Sequence, residues 1–136
     1  MLSRRQILFA LAVPFALSCG AAKAYHRSSE DLGKATKLFN DYVRWGYGDK
    51  ASDFVETTKR ADFVDWRTKL EKNVRLSDVH VGASEFPKDS KEATVLVTWT
   101  FYRNDQLTEQ TKTVTEHWFL KDFRWFIRYE PKELPE

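Results

Sequence analysis

Apolar and polar residues alternate with a period of two from Ala93 to Tyr102. Ala93, Val95, Val97, Trp99 and Phe101 fall on one face, and Thr94, Thr98, Thr100 and Tyr102, with Leu96 among them, on the other. The pattern predicts a strand with one dry side. A second alternating run sets Val114, Glu116, Trp118 and Leu120 opposite Thr113, Thr115, His117 and Phe119, and a third places Trp125, Ile127 and Tyr129 together. Pro87–Ser90 and Asn104–Gln106 carry the turn chemistry between runs. An earlier strand, Val74 to Phe86, breaks its own parity: Val74 and Leu76 are even-numbered, Val79 and Val81 odd. A β-bulge near Ser77-Asp78 reconciles the two halves by moving one residue to the opposite face.

Antiparallel neighbours must turn their dry faces the same way, and the numbers of opposed residues add to a constant. With odd positions dry in the second strand and even ones in the third, that constant is odd, so loops of two or four residues fit and three do not. For the last hairpin, a two-residue loop at Lys121-Asp122 sets Trp118 opposite Trp125, and a four-residue loop sets it opposite Ile127. Either way Val95, Val97, Trp99, Val114, Trp118, Trp125 and Ile127 form one wall, with Glu116 as its misfit. A carboxylate there needs a donor or must hold its proton. Pairing with an arginine, a helix side chain or an edge satisfies it structurally, and the alternative is a polar group at a pocket floor. His117 points away from it, because successive strand residues face apart.

The N-terminal half has the helical period. Ser28 and Asp31 make a capping box, after which Leu32, Ala35, Leu38, Phe39, Tyr42 and Val43 recur at steps of three and four, up to Gly46 or Gly48. Asp49 starts a short second helix carrying Ala51, Phe54 and Val55. Thr57 or Thr58 starts a third, with Phe63, Trp66 and Leu70 on one face and Lys59, Arg60, Arg67, Lys69 and Lys72 outside as a solvated surface. The expected class is α+β, with three N-terminal helices packed on a curved four-stranded antiparallel sheet.

Residues 1–24 have the order of an export signal: Arg4 and Arg5, an apolar run from Ile7 to Leu17, then small residues. The run falls well short of the roughly 20 residues that cross a bilayer. Ser3-Arg4-Arg5-Gln6-Ile7-Leu8 is similar to a twin-arginine signal, with an ordinary secretory start as the alternative. Ala22-Lys23-Ala24 is a signal-peptidase site before Tyr25, whereas Ala16-Leu17-Ser18-Cys19-Gly20 resembles a bacterial lipobox that would acylate Cys19. Cys19 is the only cysteine, so it makes no internal disulfide. The domain plan is a leader at 1–24, a tether at 25–29, one α+β domain at 30–130 and a polar tail at 131–136.

Charge narrows the function classes. The formal +2 depends on Arg4, Arg5 and Lys23; without them 19 basic residues face 20 acids, a net −1. That balance gives no electrostatic warrant for nucleic acid. The three histidines, 26, 80 and 117, have no metal-ligand spacing, and no Gly-rich phosphate loop is present. No metal or cofactor is expected.

Tyr42-Val43-Arg44-Trp45-Gly46 followed by Ala51-Ser52-Asp53-Phe54-Val55, Val74 to Val81, and Val114 to Trp118 with Trp125 resemble the nuclear transport factor 2-like fold, a curved sheet wrapped around a long first helix. The likeness spans about residues 30–130 and is greatest with small bacterial envelope lipoproteins. It implies an interior that can take a ligand, which here would be lined by Tyr42, Trp66, Trp99, Glu116 and Trp118. The family includes isomerases and dehydratases with an Asp, His or Tyr inside the cone, and the matching weak candidates are Asp78, His80, Glu116 and Tyr42. Three functions follow as expectations. The first is an exported, non-enzymatic domain anchored to a membrane by acylated Cys19, which binds an envelope protein or a small apolar molecule. The second is a cone-type isomerase, dehydratase or hydrolase using Glu116 or His80. The third is an assembly component of an envelope secretion complex. Homodimerisation through the sheet is a further expectation of the fold class.

Overall fold

The computed structural model describes residues 18–88 and 90–130, with side chains from Arg27 onward. The twin-arginine pattern, the apolar run and the tail at 131–136 lie outside these residues. The elements are α1 (Ser18–Trp45), α2 (Gly48–Ser52), a 3-10 turn (Thr57–Lys59), α3 (Arg60–Asn73), β1 (Val74–Glu85), β2 (Glu92–Arg103), β3 (Glu109–Lys121) and β4 (Arg124–Arg128). The strands form one curved antiparallel sheet in the order β1-β2-β3-β4, with the helices packed on its apolar side. The α+β class with three helices and four strands is thus the observed one.

Helix α1 is longer than the Ser28 capping box implies. The chain is helical from Ser18, so residues 25–29 are helix rather than tether, and Ser28 sits mid-helix with its carbonyl accepting the Trp125 Nε1–H at 3.0 Å. The helix ends as expected at Gly46, which has φ +84°. There Tyr47 N–H bonds to Tyr42 O at 2.9 Å and Gly46 N–H to Val43 O at 3.4 Å, the pairing of a Schellman cap. The buried face consists of Leu32, Thr36, Phe39, Asn40 and Val43. Leu38, expected on it, is exposed, because the face follows the i, i+4 row from Leu32.

Phe39 joins the layers. Its ring meets Trp118 of β3 edge-on at 5.6 Å, Phe63 of α3 at 5.8 Å and Phe54 after α2 at 6.1 Å. Farther along, Phe63 and Trp66 pack on Tyr129 beyond β4. Arg67 departs from its predicted exposed place. It is buried, donates to Val43 O at 3.4 Å and pairs with Glu71, so a guanidinium closes the carbonyl end of α1. Gly48 makes room for it, since a Cβ there would lie 2.5 Å from Arg67 Nη1. Burial pushes this guanidinium down from its ordinary value, with Glu71 and Asp49 opposing that shift.

Sheet register follows the parity rule. Val97 pairs with Val114 and Val95 with Glu116, odd with even. The bulge occurs between Leu76 and Asp78, and a second irregularity, not foreseen, lies between Val81 and Ser84. All seven wall residues are buried. Trp118 pairs with Ile127, the register ascribed above to a four-residue loop, yet the loop has two residues. It is Asp122-Phe123, one position further on than expected, and both have positive φ, 52° and 62°. Two left-handed residues define the type I′ turn, whose right-handed twist matches the flanking strands.

That turn asks for glycine at the position Phe123 holds, where a Cβ is disfavoured by about 1 kcal/mol. Phe123 is 99% exposed, so its ring returns no packing energy. A Phe123→Gly substitution is expected to raise unfolding stability by about 1 kcal/mol, read from urea melts; a lowered midpoint would contradict the turn geometry.

Candidate functional site

The polar group on the dry wall is where the chemistry concentrates. Glu116 is 3% exposed, and its Oε2 accepts from Trp118 Nε1 at 3.0 Å and from Asn40 Nδ2 at 3.2 Å. Strand geometry explains the first bond, since residues 116 and 118 share a face. Helix geometry explains the second: Asn40 lies one turn after Thr36 on the buried row, and its Nδ2 also donates to Thr36 O at 2.9 Å. Thr36 in turn donates to Gly33 O at 3.1 Å. A helix side chain therefore satisfies Glu116, as one of the sequence expectations had it.

The satisfaction is partial. Glu116 Oε1 and Asn40 Oδ1 are both buried with no hydrogen-bond partner among the described residues. Two acceptors on directly bonded side chains lack a donor, and a proton on the carboxyl supplies one. Burial, partly offset by the bonds from Trp118 and Asn40, pushes the Glu116 carboxyl up to about 7. The group is thus a neutral acid over much of the range in which surface carboxylates are charged.

The other candidates are dispersed. The bulge turns Asp78 and His80 to the face opposite Val79 and Val81, opposed to Thr100 and Thr98. Asp78 pairs with Arg44 at 3.4 Å, and both Asp78 and His80 are exposed. Neither shares the buried face on which Glu116 lies. Of the expected interior residues, Trp99 and Trp118 are each 1% exposed. Trp118 packs against Phe39 and Phe54, Trp66 against Phe63 and Tyr129, and half-buried Tyr42 against Tyr47 and Phe54 under Lys50. Among the described residues no three His, Cys, Asp or Glu side chains gather as a metal site.

Surface grooves lie elsewhere. One of about 530 Å³ runs between α1 and the outer edge of β1, lined by Leu32, Thr36, Val79, Val81, Gly82 and Val95. Another, of about 390 Å³, is bordered by Trp118 with Glu92, Ala93 and Arg128. Neither is lined by Tyr42, Trp66, Trp99 or Glu116. Asn40 and Thr36 were missed from sequence because polar residues were left off the helix face; the row Leu32, Thr36, Asn40 carried the signal.

No protein-family model matches the chain, and no curated protein does. Among solved structures it is similar to the solution structure of a SEC-C motif containing protein from Rhodopseudomonas palustris, with a TM-score of 0.62 and 17% identity over 82% of this chain and 85% of that one. The intermembrane space region of the chloroplast protein ARC6 matches with a TM-score of 0.36 and 13% identity, over 80% and 92%. The first likeness defines a class by fold alone, a helix-backed antiparallel sheet.

Because the folded Glu116 carboxyl titrates above its unfolded value near 4.5, its stabilising contribution is complete below about pH 4.5 and is lost as pH rises to about 7. Gln in its place offers an amide donor without a titration. The stability of Glu116→Gln relative to the parent should therefore increase between pH 4 and pH 8 by roughly 3 kcal/mol. Denaturant melts at both pH values read this, and a pH-independent difference would place the carboxyl in contact with water.

Proposed function

We propose that the chain is a nuclear transport factor 2-like, non-enzymatic binding domain of an exported protein, held at a membrane by acylated Cys19. Its partner is a protein, engaged along the outer edge of β1. The observation that carries this reading is the edge itself. β1 is a twelve-residue strand at one end of the sheet, and no described strand pairs with its outer side. The opposite edge is treated differently: Ile127 N–H bonds to Phe54 O at 2.8 Å, and Val55 bridges Ile127, which covers part of β4. Unpaired N–H and C=O groups on an exposed strand accept an added strand, and an adjoining groove takes its alternate side chains. The groove between α1 and β1 has apolar walls from Leu32, Val79, Val81 and Val95, with Lys37 and Asp41 at its rim.

A small apolar ligand has less support. Phe39, Phe63, Trp99 and Trp118 occupy the space between helix and sheet, each at or below 1% exposure. An acid–base function has less still, because Glu116 is bonded into the core and His80 lies on the other face.

The experiment is photo-crosslinking in the host, with a photoreactive residue placed at His80 beside the edge or at Thr113 on the outer face as control. A single defined protein captured from position 80 and not from 113 is expected. A second copy of this chain, or no adduct, would overturn the partner reading. Cys19→Ser should move the protein out of the membrane fraction; unchanged fractionation removes the anchor and leaves the edge result standing.

A further inference from the structure

We propose that the β3–β4 hairpin tip is a lipid-docking element, with Phe123 entering the headgroup region of the membrane that carries the protein. This rests on the membrane-held reading above. Phe123 is 99% exposed and sits at φ +62° in a turn that favours glycine, so neither packing nor backbone preference accounts for a phenylalanine there. The turn's other residue, Asp122, is an exposed acid, and Lys121 and Arg124 on either side are exposed cations that outnumber it; such cations can reach phosphates while an aromatic ring lies deeper. Behind the tip, Phe119 and Phe126 stack at 5.8 Å under Arg128 and Arg124, which continues the aromatic and basic surface along the outer face.

Position in the molecule selects lipid as the occupant. The Trp125 Nε1–H bonds to Ser28 O at 3.0 Å, which sets the N-terminal part of α1 at the hairpin end of the domain. From Ser28 the helix leads back to Ser18, about 15 Å of chain. The apolar run Ile7–Leu17 and Cys19 lie at that far end of the chain. An anchor there would keep the hairpin end of the domain, where Trp125 meets Ser28, nearer the membrane than the β2–β3 loop at the other end of β3. Leu107, the other large apolar residue above 90% exposure among the described residues, at 98%, makes the contrast. It sits in the β2–β3 loop at the opposite end, between Asp105 and Glu109, where a membrane would meet acids.

The test separates docking from acylation. Every described buried apolar side chain lies between Leu32 and Tyr129, so a chain beginning at Tyr25 keeps the whole core and lacks both the apolar run and the only cysteine. An N-terminal His tag tethers it to nickel-chelating vesicles of phosphatidylethanolamine and phosphatidylglycerol, whether or not Cys19 is acylated in the host. A polarity-sensitive fluorophore is attached at Asp122→Cys or, as control, at Asp105→Cys. Tethering should shift the emission of the probe at 122 to the blue and leave that at 105 unchanged. Adding Phe123→Gly, expected to fold at least as stably as the parent, should abolish the shift. No shift at position 122, an equal shift at both positions, or a shift that survives Phe123→Gly overturns the proposal and leaves the tip to a protein partner or to solvent.

Discussion

The carboxyl of Glu116 sits where helix α1 closes onto the sheet, and the buried side-chain bonds of that closure run through it. Asn40 reaches it from the helix and Trp118 from the strand, so one buried oxygen joins the two layers. Around it Phe39 brings Trp118, Phe54 and Phe63 into ring contact, which excludes water and makes the carboxyl's charge expensive. The aromatic packing and the proton are therefore coupled. A wall of valines and tryptophans that admits one acid has to keep it neutral or leave it desolvated and charged, and the two orphan oxygens of Glu116 and Asn40 favour neutrality.

Among the described residues the interior is occupied by its own side chains, and its buried carboxyl, that of Glu116, is bonded to neighbours. At the periphery lie a strand edge that no described strand pairs, with an apolar groove beside it, and an aromatic hairpin tip at the end where Trp125 meets α1. Thr36, Phe39 and Asn40 of α1 fill the space that the helix shares with the sheet.

Much of this was legible in the sequence because β-strands reveal their faces by parity. Odd and even positions from Val95 to Ile127 specified the wall and the odd register constant, since a slip of one residue would expose every valine, and the broken parity from Val74 to Val81 specified the bulge near Ser77. Helix faces are read less surely. The period of 3.6 let Leu38 stand in for Thr36 and Asn40, because hydrophobicity was the only marker used and the buried row is partly polar. Arg67 was hidden for a related reason: a guanidinium among alternating charges looks solvated until a helix terminus is folded over it. The hairpin loop slid by one position because Asp122-Phe123 lacks the glycine that announces a type I′ turn.

The account turns on Glu116 keeping its proton between α1 and the sheet well above the pH at which an ordinary carboxyl ionises, and losing it only as pH approaches about 7. Its most direct test is a carbon-13 NMR titration of the Glu116 side-chain carboxyl, assigned through the Glu116→Gln variant. A midpoint near 7 is predicted, in a signal that moves with the Trp118 indole proton. A midpoint near the ordinary carboxylate value of about 4.5 would contradict the account, since the carboxyl would then be ionised and solvated.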